Sequence, residues 1–175
     1  TTDAGLPLLR LMHLVSPSLP VGGFTYSQGI EWAVEAGWIR TAGDLEEWLS
    51  DQLHHALATL DLPVLLRLQA AVAEEDQAEV AHWSDRLLAS RETAEFRAEE
   101  RNRGRALADL LANLEIPGAA EWKPWLSSCQ AAGFAFAAVH WHIPASDAAL
   151  GYAWNWLENL VLAAVKIVPL GQTQG

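Results

Sequence analysis

Apolar residues return at steps of three and four along nearly the whole chain. Between Asp44 and Leu60 the series Leu45, Trp48, Leu49, Leu53, Ala56, Leu57 and Leu60 keeps one side of a helix apolar, and Leu107, Leu110, Leu111 and Leu114 repeat the spacing. Runs that alternate apolar and polar residues with the two-residue period of a strand are few and short. The pattern predicts an all-α chain, a single-domain helical bundle of about seven to eight helices.

Turn and capping residues mark the divisions. A first helix is expected from about Leu6 to Val15, stopped by Ser16-Pro17-Ser18-Leu19-Pro20-Val21-Gly22-Gly23. A second is expected to begin near Thr25, with Gln28 three residues on as in a capping box, and to end at Gly37. The third starts after Thr41. Asp61-Leu62-Pro63 reads as the start of a fourth, with Asp61 as cap and proline in the first turn. Acidic residues 74–76 precede a fifth from Gln77 to Ser90. Ser90 or Thr93 starts a long charged sixth, apolar after Gly104, which ends before Pro117-Gly118. Trp122 to Trp141 reads as one seventh helix. Pro144 and Ser146 introduce the last, which Pro169 and Gly171 stop. No repeat, linker or low-complexity tract divides the chain, so residues 1–175 are expected to form one domain.

The length of 175 residues and an apolar content of 51% suit a domain with a real hydrophobic core. With 22 acidic against 11 basic residues the net charge is −11, and the clustered lysines and arginines that neutralise phosphates are missing; nucleic acid is not an expected partner. The single cysteine, Cys129, allows neither an internal disulfide nor a cysteine zinc site, which points to a reducing compartment. Residues Ala148 to Leu170 are apolar over a length that would cross a bilayer. They carry Asn155, Glu158, Asn159 and Lys166, however, with Trp154 and Trp156 away from the ends, so a buried helix of a soluble protein is expected and no membrane.

Charge is uneven: residues 1–90 hold 13 acids and 4 bases. Basic side chains concentrate in Arg91, Arg97, Arg101, Arg103 and Arg105, interleaved with Glu92, Glu95, Glu99 and Glu100. Arg91/Glu95 and Glu99/Arg103 lie four apart, as surface pairs on a solvated helix do. The alternative is a contact surface for a partner or a second copy of the chain.

Catalytic motifs fail one after another. Gly22-Gly23 lacks the lysine and hydroxyl residue of a phosphate-binding loop, and Ser27 lacks the first glycine and preceding strand of a nucleophile elbow. His54 and His55 are adjacent and diverge by about 100° on a helix, and no His-x-x-x-His pair occurs, so neither a catalytic residue nor a metal site is expected. Two features remain: the proline- and glycine-punctuated loop after residue 15, and a polar seam of Asn155, Asn159 and Lys166, flanked by Glu158, on an otherwise apolar helix. Nine tryptophans exceed what a core of this size needs and point to assembly with partners.

The run Ser16-Pro17-Ser18-Leu19-Pro20-Val21-Gly22-Gly23-Phe24-Thr25-Tyr26-Ser27-Gln28-Gly29-Ile30-Glu31-Trp32-Ala33-Val34-Glu35-Ala36-Gly37 closely resembles the N-terminal signature of the UreF family of urease accessory proteins. Asp61-Leu62-Pro63, the segment from Ser90-Arg91-Glu92-Thr93 to Arg103-Gly104, and Ala163 to Gln172 agree with that family in order. The resemblance implies a non-catalytic, cytoplasmic, all-α homodimer. It would bridge UreD (or UreH) and the GTPase UreG, and regulate that GTPase during GTP-dependent nickel insertion into apo-urease. No cofactor is implied for the chain itself, since nickel and GTP are handled by the partners. The matching positions Tyr26, Gln28, Glu31, Glu35 and Lys166 are implied as the surface that meets or orders UreG. Family members continue past Gly171-Gln172-Thr173-Gln174-Gly175, so the resemblance also implies a chain shortened at its C-terminal end, with UreD binding affected. The rival expectation is a metallochaperone that carries Ni²⁺ itself, with His140 and His142 as ligands.

Overall fold

A computed structural model describes residues 5–21 and 29–168. Its elements are α1 (Leu6–Leu14), α2 (Ile30–Glu35), α3 (Ala42–Gln52), a π-helical stretch (Leu53–Asp61), α4 (Leu62–Ala73), α5 (Gln77–Ala89), α6 (Ala94–Asn113), α7 (Ala119–Leu126), α8 (Gln130–His140) and α9 (Ala145–Ile167). Since α3, the π-helical stretch and α4 run on without a break, these make eight continuous helices, and no strand occurs among the described residues.

The bundle is built around α8. Every residue from Gln130 to Ala138 is buried, as expected of a segment composed almost wholly of alanine, glycine and phenylalanine. α4 and α6 pack along it most extensively, with α5, α7 and α9 completing the surround. Close approach of α6 depends on Gly104, where a Cβ would stand 2.8 Å from the backbone N, Cα and C of Cys129. Beside this main core lies a smaller one. Ile30 and Ala33 of α2, Ile39, and Leu45 and Leu49 of α3 pack against Leu160, Ala164 and Val168 at the end of α9. Trp156 touches both cores.

Several predicted starts hold. Thr41 and Asp44 form a reciprocal capping box at α3, Asp76 accepts from the Glu79 N–H at α5, and Thr93 accepts from the Phe96 N–H at α6. The predicted start at Asp61-Leu62-Pro63 coincides with the first residue of α4, with Pro63 in its first turn, but the helical course of the chain is not broken there and the expected Asp61 cap does not form. Asp61 has helical dihedrals (φ −64°, ψ −47°) and makes no capping bond. Pro63 supplies no N–H and crowds the carbonyl four residues before it. The turns ahead of it widen to π geometry, with the Leu62 N–H bonded to the Leu57 carbonyl five residues back. The resulting helix, Ala42–Ala73, is long and apolar enough to cross a membrane by length and composition. In this fold 39% of its most apolar stretch is buried, and Leu57, Val64, Leu65 and Leu68 contribute to the main core.

The expected single helix from Trp122 to Trp141 is two. α7 stops at Leu126, Cys129 is extended (φ −155°, ψ 160°), and α8 starts afresh at Gln130. The Gln130 N–H bonds to Glu100 Oε1 at 3.1 Å, so a carboxylate from α6 satisfies the N-terminus of α8 where its dipole is positive. α2 begins at Ile30, because Gly29 has a left-handed φ of 92° and no right-handed helix passes through it. Thr25 and Gln28, the expected start of that helix, lie outside the described residues, as do Gly22, Gly23, Pro169 and Gly171.

Candidate partner-binding site

Of the five residues that resemblance singles out, Glu31, Glu35 and Lys166 are exposed, while Tyr26 and Gln28 lie outside the described residues. Glu31 and Glu35 stand one turn apart on α2, and Lys166 is in the last turn of α9. The smaller core joins these two elements, so the three charged positions belong to one end of the molecule. The polar seam of α9 divides along its length. Asn155 and Asn159 are buried: Asn155 Nδ2 donates to the Val15 carbonyl at 3.1 Å, and Asn159 Nδ2 donates to the Asn155 carbonyl at 2.8 Å. These groups are satisfied inside the chain, and only Lys166 is presented outward.

Two indoles mark the same end. α2 closes in a Schellman turn, with Gly37 N–H bonded to the Val34 carbonyl and Trp38 N–H to the Ala33 carbonyl. Gly37 takes a φ of 75°, which a side chain would strain. The turn brings Trp38 back onto Trp32, edge to face, with centroids 4.6 Å apart and planes at 86°. Both residues remain exposed, at 57% and 61%. Nearby, α3 and α9 leave an apolar groove of about 460 Å³ lined by Leu45, Leu49, Leu53, Leu157 and Val161.

A second assembly lies inside. Arg91 donates from both terminal nitrogens to the two carboxylate oxygens of Asp61, and from Nε and Nη2 to Glu100 Oε2 at 3.2 and 2.9 Å. The predicted Arg91–Glu95 surface pair is therefore not the one formed: Arg91 precedes α6 and turns inward. Glu99 and Arg103 do pair, at 3.5 Å, but both are buried rather than on a solvated face. Burial disfavours the charge on Arg91, yet its bonds to Asp61 and the charges of Asp61 and Glu100 outweigh this and hold it charged more firmly than a free arginine. Burial pushes the Asp61 carboxyl up, against the pull of Arg91, and raises the Tyr152 hydroxyl well above its ordinary range.

These groups line a cavity of about 180 Å³ together with Phe96, Tyr152 and Trp156. Phe96 also meets the middle of the signature run, since a Cβ on Gly29 would lie 3.8 Å from its ring. Each carboxylate of the triad is already engaged by Arg91 or a backbone N–H, which suits holding elements in register rather than attacking a substrate. Among the described residues no group of three histidine, cysteine, aspartate or glutamate side chains is placed to hold a metal. His140 stacks on Phe136 at 4.0 Å, with Nδ1 against the Phe136 carbonyl. Sequence spacing did not reveal Asp61, Glu100 and Tyr152 as a cluster. The signal was present in another form, because Asp61-Leu62-Pro63 and Ser90 to Gly104, two of the family-like stretches, supply the opposite sides of the ion pair.

Comparison with known proteins agrees on one family. The family model for UreF matches residues 39–175. The urease accessory protein UreF of Pseudomonas putida (strain GB-1) is 53% identical over 170 residues, covering 97% of this chain and 76% of that protein. UreF of Alkalilimnicola ehrlichii is 49% identical over 174 residues (99% and 76%), and UreF of Azoarcus sp. (strain BH72) is 50% identical over 182 residues (100% and 78%).

Proposed function

The chain belongs to the UreF family of urease accessory proteins, proteins without catalytic activity of their own, and from that premise we propose that it is a scaffold and regulator for a partner GTPase, UreG. In this reading it bridges UreD (or UreH) and UreG in the cytoplasm and couples GTP hydrolysis to nickel insertion into apo-urease. It acts as a homodimer and needs no cofactor. Identity near 50% over almost the whole chain to proteins named as urease accessory factors carries the proposal.

The surface assigned to UreG is the end formed by α2 and the last turns of α9, with Glu31, Glu35 and Lys166; Tyr26 and Gln28, which the family resemblance adds to the assignment, lie outside the described residues. The support is physical: charged side chains at an exposed end that a small apolar core holds in place. A rim charge of this kind governs encounter rate and orientation more than total affinity. Lys166→Ala tests the assignment. The variant is expected to keep its helical circular dichroism while changing UreG retention in a pull-down or GTP turnover in the assembled complex. Wild-type values in both assays would remove Lys166 from the site.

A further inference from the structure

We propose that Trp32 and Trp38 form a receptor for the cationic side chains of a basic protein segment, which deepens and rests on the reading that the α2–α9 end is where a partner docks. The rings are held before any partner arrives. Their edge-to-face contact and the Gly37 turn fix both, so little side-chain freedom is lost on binding. Each tryptophan residue is nevertheless more than half exposed, which leaves apolar surface available to a ligand.

Charge selects the ligand. From Ile30 to Asp51 the chain carries six acidic residues and one basic residue, Arg40. Glu31 and Glu35 are exposed on the same short helix as Trp32. Lys166 is the further basic residue at this end, so acids still outnumber bases there. Indole faces on and just after the helix that carries Glu31 and Glu35 favour arginine or lysine, which gain a cation–π contact and a carboxylate together. The chain uses this chemistry internally, with Arg10 over Trp141 at 5.8 Å and Arg67 over Trp83 at 5.7 Å. A second copy of the chain is the less favoured occupant, because it would bring the same acidic field against itself.

Two probes titrated into the full chain test the receptor: purified UreG, and a short synthetic peptide alternating arginine and serine. Trp32→Ala and Trp38→Ala leave net charge unchanged, and each is expected to weaken both probes by about fivefold to tenfold. Trp32→Phe should weaken them less, because the smaller ring keeps part of the aromatic face. Far-UV circular dichroism verifies that each variant is folded. Wild-type affinity of the double alanine variant for both probes overturns the receptor. So does a change in sedimentation of the isolated variant, which assigns the indoles to contact between copies. If Glu31→Gln with Glu35→Gln and Lys166→Ala weaken UreG while the tryptophan variants weaken neither probe, the docking site stands and the receptor falls. If the tryptophan variants weaken only the peptide, and no variant at this end alters UreG, the receptor stands and UreG docks elsewhere.

Discussion

Arg91 grips Asp61 with both terminal guanidinium nitrogens across thirty residues of sequence, tying the α5–α6 connection to the middle of the longest helix. The same guanidinium also holds Glu100, whose other oxygen caps α8. One arginine thus fixes the positions of three elements.

Removing either end of this contact has unequal consequences. Arg91→Ala leaves two buried carboxylates facing each other and should cost about 3–5 kcal/mol, the range for breaking a buried pair. Asp61→Ala should cost less, because Arg91 keeps Glu100. Urea unfolding followed by circular dichroism gives the order. Burial raises the Asp61 carboxyl, and losing Arg91 removes the group that opposes this. In Arg91→Ala the native state would therefore bind its proton more readily than the unfolded chain does. The deficit is expected to shrink as pH falls through the carboxylate range.

Gly104→Ala sets helix propensity against sterics. Alanine gains up to about 1 kcal/mol in a helix interior, but its Cβ falls 2.8 Å from three backbone atoms of Cys129, which no side-chain rotation relieves. Overpacking of about 3 kcal/mol wins. A net loss near 2 kcal/mol is expected in denaturant titration, and a variant as stable as the parent would show that α6 can retreat.

Cys129 should be chemically silent. It is fully buried, and burial pushes its thiol up to about 12, with the charge of Glu100 acting in the same direction. At neutral pH a thiol reagent such as DTNB should leave the native protein unmodified and label one equivalent in denaturant. Rapid labelling of the native state would mean that the α7–α8 break opens readily.

The α3 cap should show acid sensitivity of a defined sign. N–H donation from Arg40, then the Thr41 hydroxyl and N–H, outweighs the effect of desolvation and lowers the Asp44 carboxyl below its ordinary value. Its stabilisation is present above the usual aspartate range and lost as pH falls through the lowered value. Asp44→Asn is expected to melt lower than the parent at neutral pH, and the two curves should converge in strong acid. Thr41→Ala, which removes the other half of the box, should cost about 1 kcal/mol.

Helix content was legible because it is written in local periodicity, and the starts after Thr41 and at Gln77 were legible because capping is local chemistry, which also chose Thr93 over Ser90. Two errors came from long-range contacts. Asp61-Leu62-Pro63 has the composition of a helix start, yet Asp61 bonds to Arg91 rather than its own backbone, and widened turns accommodate Pro63. The break before Gln130 contains no proline or glycine; the Glu100 carboxylate from α6 supplies the cap. Glu99, Glu100 and Arg103 read as a solvated salt-bridge face because spacing alone does not say which side of a helix a bundle covers. The candidate end was partly visible: Glu31, Glu35 and Lys166 came from motif resemblance. The Trp32–Trp38 contact depends on a turn geometry that composition does not encode. Six of the nine tryptophans pack partly buried against the two cores, and Trp32, Trp38 and Trp154 are exposed, so the surplus read from composition is smaller than expected.

The smaller core contains eight buried side chains against a far more extensive set around α8. Free energies of local opening follow the number of such contacts. Amide protons of α2 and the first turns of α3 should therefore exchange with solvent faster than those of α8, through an opening that leaves the bundle intact. A partner seated on Trp32 and Trp38 would slow that exchange without changing the protection of α8. The end proposed to meet a partner is thus one whose order would be more readily altered by what binds it than that of the α8 core.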